Sequence, residues 1–315
     1  MSDPTGLSGE TGRVGTAVHA PGEDQVVEAP LAPNPSAQIW HELRRSPRFF
    51  VPGAVVLVMI AVAVVPSAFA GLFGHGDPHA CDLSKSALGP QSGHPFGYDI
   101  QGCDLYANVI YGARPSISIG VLVTAGIMLV AITLGSLSGY FGGLVDGAVG
   151  RLTDVFLGFP GLIGAIIVLQ VLNKHTIYTV SLVLILLWWP APTRIMRSSV
   201  LAARNLEYVD AARSMGAGHL KVLSRHVIPN SVMPLLALAG LYVGTIITAE
   251  AALTFLNIGL QIPAISWGVQ LNTAQTSFSE NLHLLLFPSL ALSVTVLSIL
   301  LLGDAVRDAL DPKLR

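Results

Sequence analysis

Charge is what this chain has least of. Only 11% of its 315 residues are Asp, Glu, Lys or Arg, while 52% are hydrophobic. Soluble domains carry about 25% charged residues. The deficit excludes an ordinary water-facing surface, so most of the chain must face lipid or other membrane helices. Cysteine is scarce too. Two residues exclude a disulfide-rich scaffold and a four-cysteine zinc site. No GxxxxGKS or GxxxxGKT run is present, which excludes ATP binding through a P-loop. No HExxH or Ser/His/Asp arrangement stands in a sensible context, so catalysis by this chain is not expected. No signal peptide is evident. Residues 1–35 hold Gly, Pro, Ala and acidic residues without an apolar core stretch, and read as a disordered tail.

Long apolar runs are what the chain has instead. A helix needs about 20 apolar residues to span a bilayer core. Six stretches meet this loosely, at 50–73, 115–140, 152–172, 176–196, 231–256 and 283–303. Pro52, Pro66, Pro190, Pro192 and Pro288 interrupt them, mostly near expected helix ends. Before the first stretch, 36–48 reads as a short amphipathic helix for the membrane surface, with Ser36 as N-cap and Ile39, Trp40 and Leu43 on one face. A solvated helix end is the alternative.

The distribution of Lys and Arg sets the orientation. With six spans and the N-terminus inside, only Lys85, Arg114 and Lys174 of the 17 basic residues fall outside. Both termini are therefore expected in the cytoplasm. The large external segments are then 74–112 and 257–282. Cys81 and Cys103 share the first of these, in an oxidising environment, so they are candidates for a disulfide. Two free thiols are the alternative. His75 and His79 stand four residues apart there, with Cys81 and His94 nearby, but the segment is Gly-rich and irregular and no metal site is expected.

One polar segment breaks the apolar pattern. Residues 204–230 form a cytoplasmic loop between the fourth and fifth spans. Residues 206–215 are compatible with a helix, Gly216 and Gly218 break it, 219–227 allow a second short helix, and Pro229 closes it. Two short helices at an angle make a knob. Tyr208, Val209, Ala212 and Met215 form a candidate apolar face for a partner's groove, with Ala211 and Ala212 small enough for close approach. A plain interfacial connector is the alternative.

Here a family resemblance enters. Asp210-Ala211-Ala212, three residues, Gly216, nine residues, then His226-Val227-Ile228-Pro229 resembles the EAA loop of ABC-importer permeases. The spacing is kept, while Asp replaces Glu, His replaces Ile and Ile replaces Leu. Further motifs point to the dipeptide/oligopeptide branch, of the DppC/OppC type. They are His94-Pro95-Phe96-Gly97 followed by Gly102 and Asp104, Tyr111-Gly112-Ala113-Arg114, Tyr140-Phe141-Gly142-Gly143, the run 249–268, and the C-terminal run 303–315. Together they cover roughly 36–315. Where these permeases commonly have Gly-Arg-Asp, this chain has Gly102-Cys103-Asp104. The second cysteine in the same loop favours the pair over two accidents.

The resemblance implies an all-α membrane protein of six transmembrane helices with the type I importer permease fold, multi-pass in the inner (plasma) membrane. Its parts would be the tail 1–35, an amphipathic helix and first span 36–73, an external loop 74–112, and a permease core 113–315 that includes the coupling loop 204–230. The implied function is half of a translocation path for dipeptides or oligopeptides, driven by ATP. Nickel or another chelate is the alternative cargo, and a secondary transporter, a channel or a membrane scaffold are the remaining rivals. The implied partners are a DppB-like second permease, one or two ABC ATPase subunits and an extracytoplasmic substrate-binding protein, besides membrane lipid. ATP and Mg would be bound by the ATPases. Neither a cofactor in this chain nor a nucleic-acid partner is expected. The ATPase-coupling residues would be Glu207, Tyr208, Asp210, Ala211, Ala212, Met215, Gly216, His226 and Pro229. Glu250, an acid inside the fifth span, is a bracing residue or a contact on the substrate path. Arg151 and Asp154 are expected to pair at i, i+3. The small residues Gly120, Ala125, Gly135, Ser136, Ser138 and Gly139 suit close helix packing.

Overall fold

The computed structural model describes residues 47–73, 76–277 and 279–310. The expected tail 1–35, the amphipathic stretch before Pro47, His75 and residues 311–315 lie outside them. Among the described residues the chain is helical, with no strand and three isolated bridges. In chain order the helices are α1 (Pro47–Val64), α2 (Pro66–Ala70), α3 (Leu105–Phe141), α4 (Gly143–Leu157), α5 (Gly161–Leu172), α6 (Ile177–Trp188), α7 (Pro190–Ala203), α8 (Glu207–Ser214), α9 (His219–Val222), α10 (Ile228–Ser231), α11 (Met233–Leu236), α12 (Ala239–Phe255), α13 (Trp267–Ala274) and α14 (His283–Leu310).

Three helical stretches are long and apolar enough to cross a membrane: α3, Met233–Phe255 and His283–Ala309. The count rises to five if two bent pairs each form one span, α4 with α5 at 85° and α6 with α7 at 49°. The apolar stretches expected at 152–172 and 176–196 are therefore each bent rather than single straight helices. Proline accounts for both breaks: Pro160 caps α5 without a side-chain hydrogen bond, and Pro190 starts α7 at a position that needs no N–H. The 12 residues of α5 rise about 18 Å, short of a core about 30 Å thick. The first stretch is also divided, at Val65.

The core is built around α3. Its 37 residues extend about 55 Å at 1.5 Å per residue. It starts ten residues before the expected span, because Asp104 caps it: Oδ1 accepts from the backbone N–H of Tyr106 at 2.9 Å and of Ala107 at 3.3 Å. Glycines set how closely its neighbours approach. A Cβ on Gly135 would stand 2.7 Å from Thr193 O, and one on Gly139 2.8 Å from Arg197 O, so α7 lies almost backbone to backbone on α3. Gly120 instead makes room for the side chain of Ile247 of α12, whose Cγ1 would stand 2.5 Å from an added Cβ. Ala125 departs from the expected packing role, since it lies on the exposed stripe of α3 with Ser118, Val121, Leu129 and Thr133. One apolar core fills the space between α3, α5, α6 and α12 with Ile119, Val123, Leu169, Leu184 and Ile246. A second joins α3 and α7 to the 204–230 segment through Tyr140, Val200, Val209 and Val222.

Candidate functional site

The 204–230 segment is a two-helix knob at the Phe141 end of α3. Helix α8 ends in a glycine-dependent reversal. The Gly216 N–H donates to Arg213 O at 2.9 Å and the Ala217 N–H to Ala212 O at 3.2 Å, with Gly216 at φ +83°. The bend expected at Gly216 is therefore a left-handed helix stop. A Cβ there would meet nothing within 4 Å, so the position is demanding in backbone conformation and open in space.

The two apolar stripes of α8 point in opposite directions. Val209 and Ala212 are buried, at 0% and 4% exposure, and hold the knob to the body. This corrects the expected partner-facing set, because neither is available to a groove outside. Tyr208, Ala211 and Met215 are exposed, and Met215 is 82% exposed at the tip. Glu207 lies in the exposed first turn of α8, where its charge favours the helix N-terminus. Asp210 pairs with Arg213 at 3.1 Å, and the Arg213 guanidinium lies 5.4 Å from the centre of the Tyr140 ring. Tyr140 also reaches His219 Nδ1 through its hydroxyl at 3.3 Å. The knob is thus seated on the last turn of α3.

His226 falls in a π-helical turn, Leu223–Val227, where the Ile228 N–H donates to Leu223 O. Pro229 follows as the first turn of α10, where its missing N–H costs least. What the fold uses at 226 is the carbonyl, which accepts from Asn230 Nδ2 at 2.6 Å and Tyr208 Oη at 3.5 Å. The side-chain change from the family pattern leaves this role untouched. Beside the knob, Arg197 of α7 clamps Asp146 of α4 through both carboxylate oxygens, and Ser138 donates to the same carboxylate. Asp154 meets Arg194 of α7 rather than the expected Arg151.

The other end of α3 carries an ordered loop. Cys81 and Cys103 form a disulfide, as the sequence suggested. The loop folds back by way of Gly97 and Gly102, at φ +77° and +75°, against the carbonyls of Leu88 and Asp82. His94 Nδ1 lies 2.7 Å from buried Asp104 Oδ2. Phe96 stacks on Phe287 of α14 with ring centres 3.9 Å apart. The His94–Gly97 motif and Asp104 thus anchor the loop to the bundle. The second expected external segment, 257–282, folds back on α3 as well. Trp267 of α13 is 1% exposed and its Nε1 donates to Val109 O at 2.9 Å. Sequence reasoning passed over α13, whose only local signal is Ser266 three residues before the N–H it caps, that of Val269.

Glu250 is fully buried in α12. Its Oε1 accepts from Thr254 Oγ1 at 2.8 Å, and Thr254 Oγ1 accepts in turn from the Leu260 N–H at 3.0 Å. This chain of hydrogen bonds ties the helix to the segment that follows it. Among the described residues no group of three His, Cys, Asp or Glu side chains is arranged to hold a metal ion.

Residues 131–315 match the family model for the binding-protein-dependent transport system inner membrane component. The chain belongs to this family. As an inner-membrane permease component, it is similar to the glutathione transport system permease protein GsiD of Pectobacterium atrosepticum, 35% identical over 281 residues, 89% of this chain and 92% of that one. It is also similar to the dipeptide transport system permease protein DppC of Alkalihalophilus pseudofirmus, 30% identical over 298 residues and 94% of each chain. The oligopeptide transport system permease protein OppC of Bacillus subtilis is 32% identical over 283 residues, 89% of this permease and 92% of that one.

Proposed function

We propose that this permease component serves a peptide importer of the dipeptide, oligopeptide or glutathione class, and that the 204–230 knob couples it to ATPase subunits. The observation that carries the reading is the knob itself. Its inner stripe, Val209 and Ala212, is packed into the bundle, while its outer stripe, Tyr208, Ala211 and Met215, stands free at the end of α3. A free apolar tip on a firmly seated base suits insertion into a partner's groove. Six spans with cytoplasmic termini fit this use, with α1 and the two bent pairs completing the count begun by α3, α12 and α14. A second permease of the DppB kind would complete the path. An extracytoplasmic binding protein would deliver cargo at the disulfide end. ATP and Mg belong to the ATPase partners, whose closure would move the knob and, through packed helices that exchange between discrete arrangements, open the path.

The test is reconstitution of the complete importer with Met215→Asp in this chain. Because Met215 is exposed, the variant should fold as before. Substrate-stimulated ATP hydrolysis and peptide uptake should both fall at least about ten-fold, a loss equivalent to about 1.4 kcal/mol of coupling. Wild-type rates in both assays would show that the knob is not the coupling element.

A further inference from the structure

Helix α4 touches α3 and α7 without being embedded in them. Of its 15 residues only Thr153 is buried. None of them joins either apolar core among the described residues. A cavity of about 320 Å³ opens between α4 and α7, lined by Val149, Gly150, Thr153 and Thr193 and by two ion pairs. The two threonine hydroxyls do not cross it, since each donates to a carbonyl close by in sequence, Thr153 to Gly150 O and Thr193 to Trp189 O. Charge does cross it. Arg197 holds Asp146 in the first turn of α4 through both carboxylate oxygens, with Ser138 of α3 donating to the same group. Arg194 holds Asp154 in the last turn. Beyond Asp154, Phe156 meets Trp189 edge-on with ring centres 5.6 Å apart.

Both ends of α4 are built to turn. Gly142 and Gly143, at φ +68° and +53°, join it to α3, and a Cβ on Gly143 would meet nothing within 4 Å. Two left-handed glycines in open space form a joint with few competing contacts. At the other end Gly158 to Pro160 set the 85° bend onto α5. Short joints of this kind absorb backbone rotation while the helices between them stay rigid. Helix α7 is held quite differently. It lies almost backbone to backbone on α3 at Gly135 and Gly139, shares an apolar core with the knob through Val200, Val209 and Val222, and is hydrogen-bonded across the junction from the Leu206 N–H to Ala203 O at 3.2 Å. The knob and α7 are therefore one packed body, and α4 is tied to it mainly by charge. The Asp146 and Arg197 side chains keep 26% and 38% exposure, so water can replace the bond. Its two-pronged form nonetheless fixes direction.

We propose that α4 is a lever worked from the knob, with Arg197–Asp146 as its joint and Arg194–Asp154 as a second tie. Movement of the knob and α7 draws α4 about Gly142 and Gly143 and changes its angle with α5. Arg197 and Asp146 are then positioning residues for transport. The proposal rests on the reading of the knob as the coupling element and deepens it, by naming the route along which movement leaves the knob.

The experiment uses the complete importer in liposomes, with alanylalanine uptake and ATP hydrolysis measured together. In Asp146→Asn and in Arg197→Gln, hydrolysis should continue while uptake falls, so that ATP hydrolysed per peptide imported rises about ten-fold. The exchanged pair, Asp146→Arg with Arg197→Asp, should bring that ratio back to within about three-fold of wild type. Asp154→Asn, at an exposed residue, should raise it about three-fold and tests the lever even where Asp146→Asn fails to assemble. A pair that serves only stability or assembly would lower both activities together, and an unchanged ratio in these variants would overturn the lever. An exchanged pair as poorly coupled as the single variants would overturn it too, since the two charges would then act on separate partners. Met215→Asp separates this failure from that of the knob. If it abolishes stimulated hydrolysis while Asp146→Asn keeps the wild-type ratio, the lever falls and the knob stands. Wild-type rates in Met215→Asp would sink the coupling reading, and the lever with it.

Discussion

Gly102 and Gly216 hold almost the same backbone conformation, at φ +75° and +83°, at opposite ends of the molecule. Their surroundings differ completely. A Cβ on Gly102 would lie 1.9 Å from Asp82 O, whereas one on Gly216 would meet nothing within 4 Å. The loop is closed upon itself by a disulfide, a buried carboxylate and a stacked phenylalanine. The knob is anchored on one stripe and open on the other. The contrast teaches where movement is permitted. One end is closed by its own contacts, and the other leaves one apolar stripe of its helix uncovered.

The largest effect should come from the closed end. Gly102→Ala combines a left-handed backbone with a clash against main chain that cannot swing away, and should cost more than about 4 kcal/mol. Loss of folded protein on size exclusion in detergent is the expected result. A normal elution profile would break the contrast at its root. Cys81→Ser comes next. The bridge spans a sequence separation of 22, for which loop-closure entropy suggests about 3 kcal/mol. Thermal unfolding should show this loss, while the ATPase coupling proposed for the knob should stay intact. Gly216→Ala should cost only about 1 kcal/mol, the backbone penalty without the clash. A melting temperature as low as that of Gly102→Ala would mean the knob is as crowded as the loop. Asp210→Ala should have the smallest effect. An exposed i, i+3 pair is worth about 0.5 kcal/mol or less. Stability should barely change, so any sizeable drop in stimulated ATP hydrolysis would come from contact with the partner.

Several parts of this arrangement were legible from residue order. The charge deficit pointed to helices and membrane, the polar run marked the knob, and the family spacing put its bend at Gly216. The cysteine pair was legible because no other cysteine competes. The rest depended on contacts made across long sequence distances. Residues 105–112 read as loop because their polar side chains have partners elsewhere: Asn108 on Asp99, and Tyr106 Oη on Phe69 O at 2.9 Å. The choice between the two stripes of α8 was invisible, since both are apolar at helical spacing and only packing against Tyr140 and Val222 decides which turns inward. The bends after α4 and α6 follow from Pro160 and Pro190, but the angles belong to the neighbours. The hydrogen bonds from Asn108 to Asp99 and from Gln270 to Asn108 O join residues from opposite halves of the chain, and no local pattern announces them.

Helix α3 runs without a break from the Asp104 cap to Tyr140, through Pro115. A continuous helix keeps count. Each residue turns it by about 100° and advances it by about 1.5 Å. One residue inserted between Gly120 and Gly135 would rotate the seat of the knob about a quarter turn from the loop and swing Gly135 and Gly139 away from α7. The number of residues in this segment is therefore as much a part of its design as their identity. Side chains on its exposed stripe are not fixed by packing within this chain, but its length is.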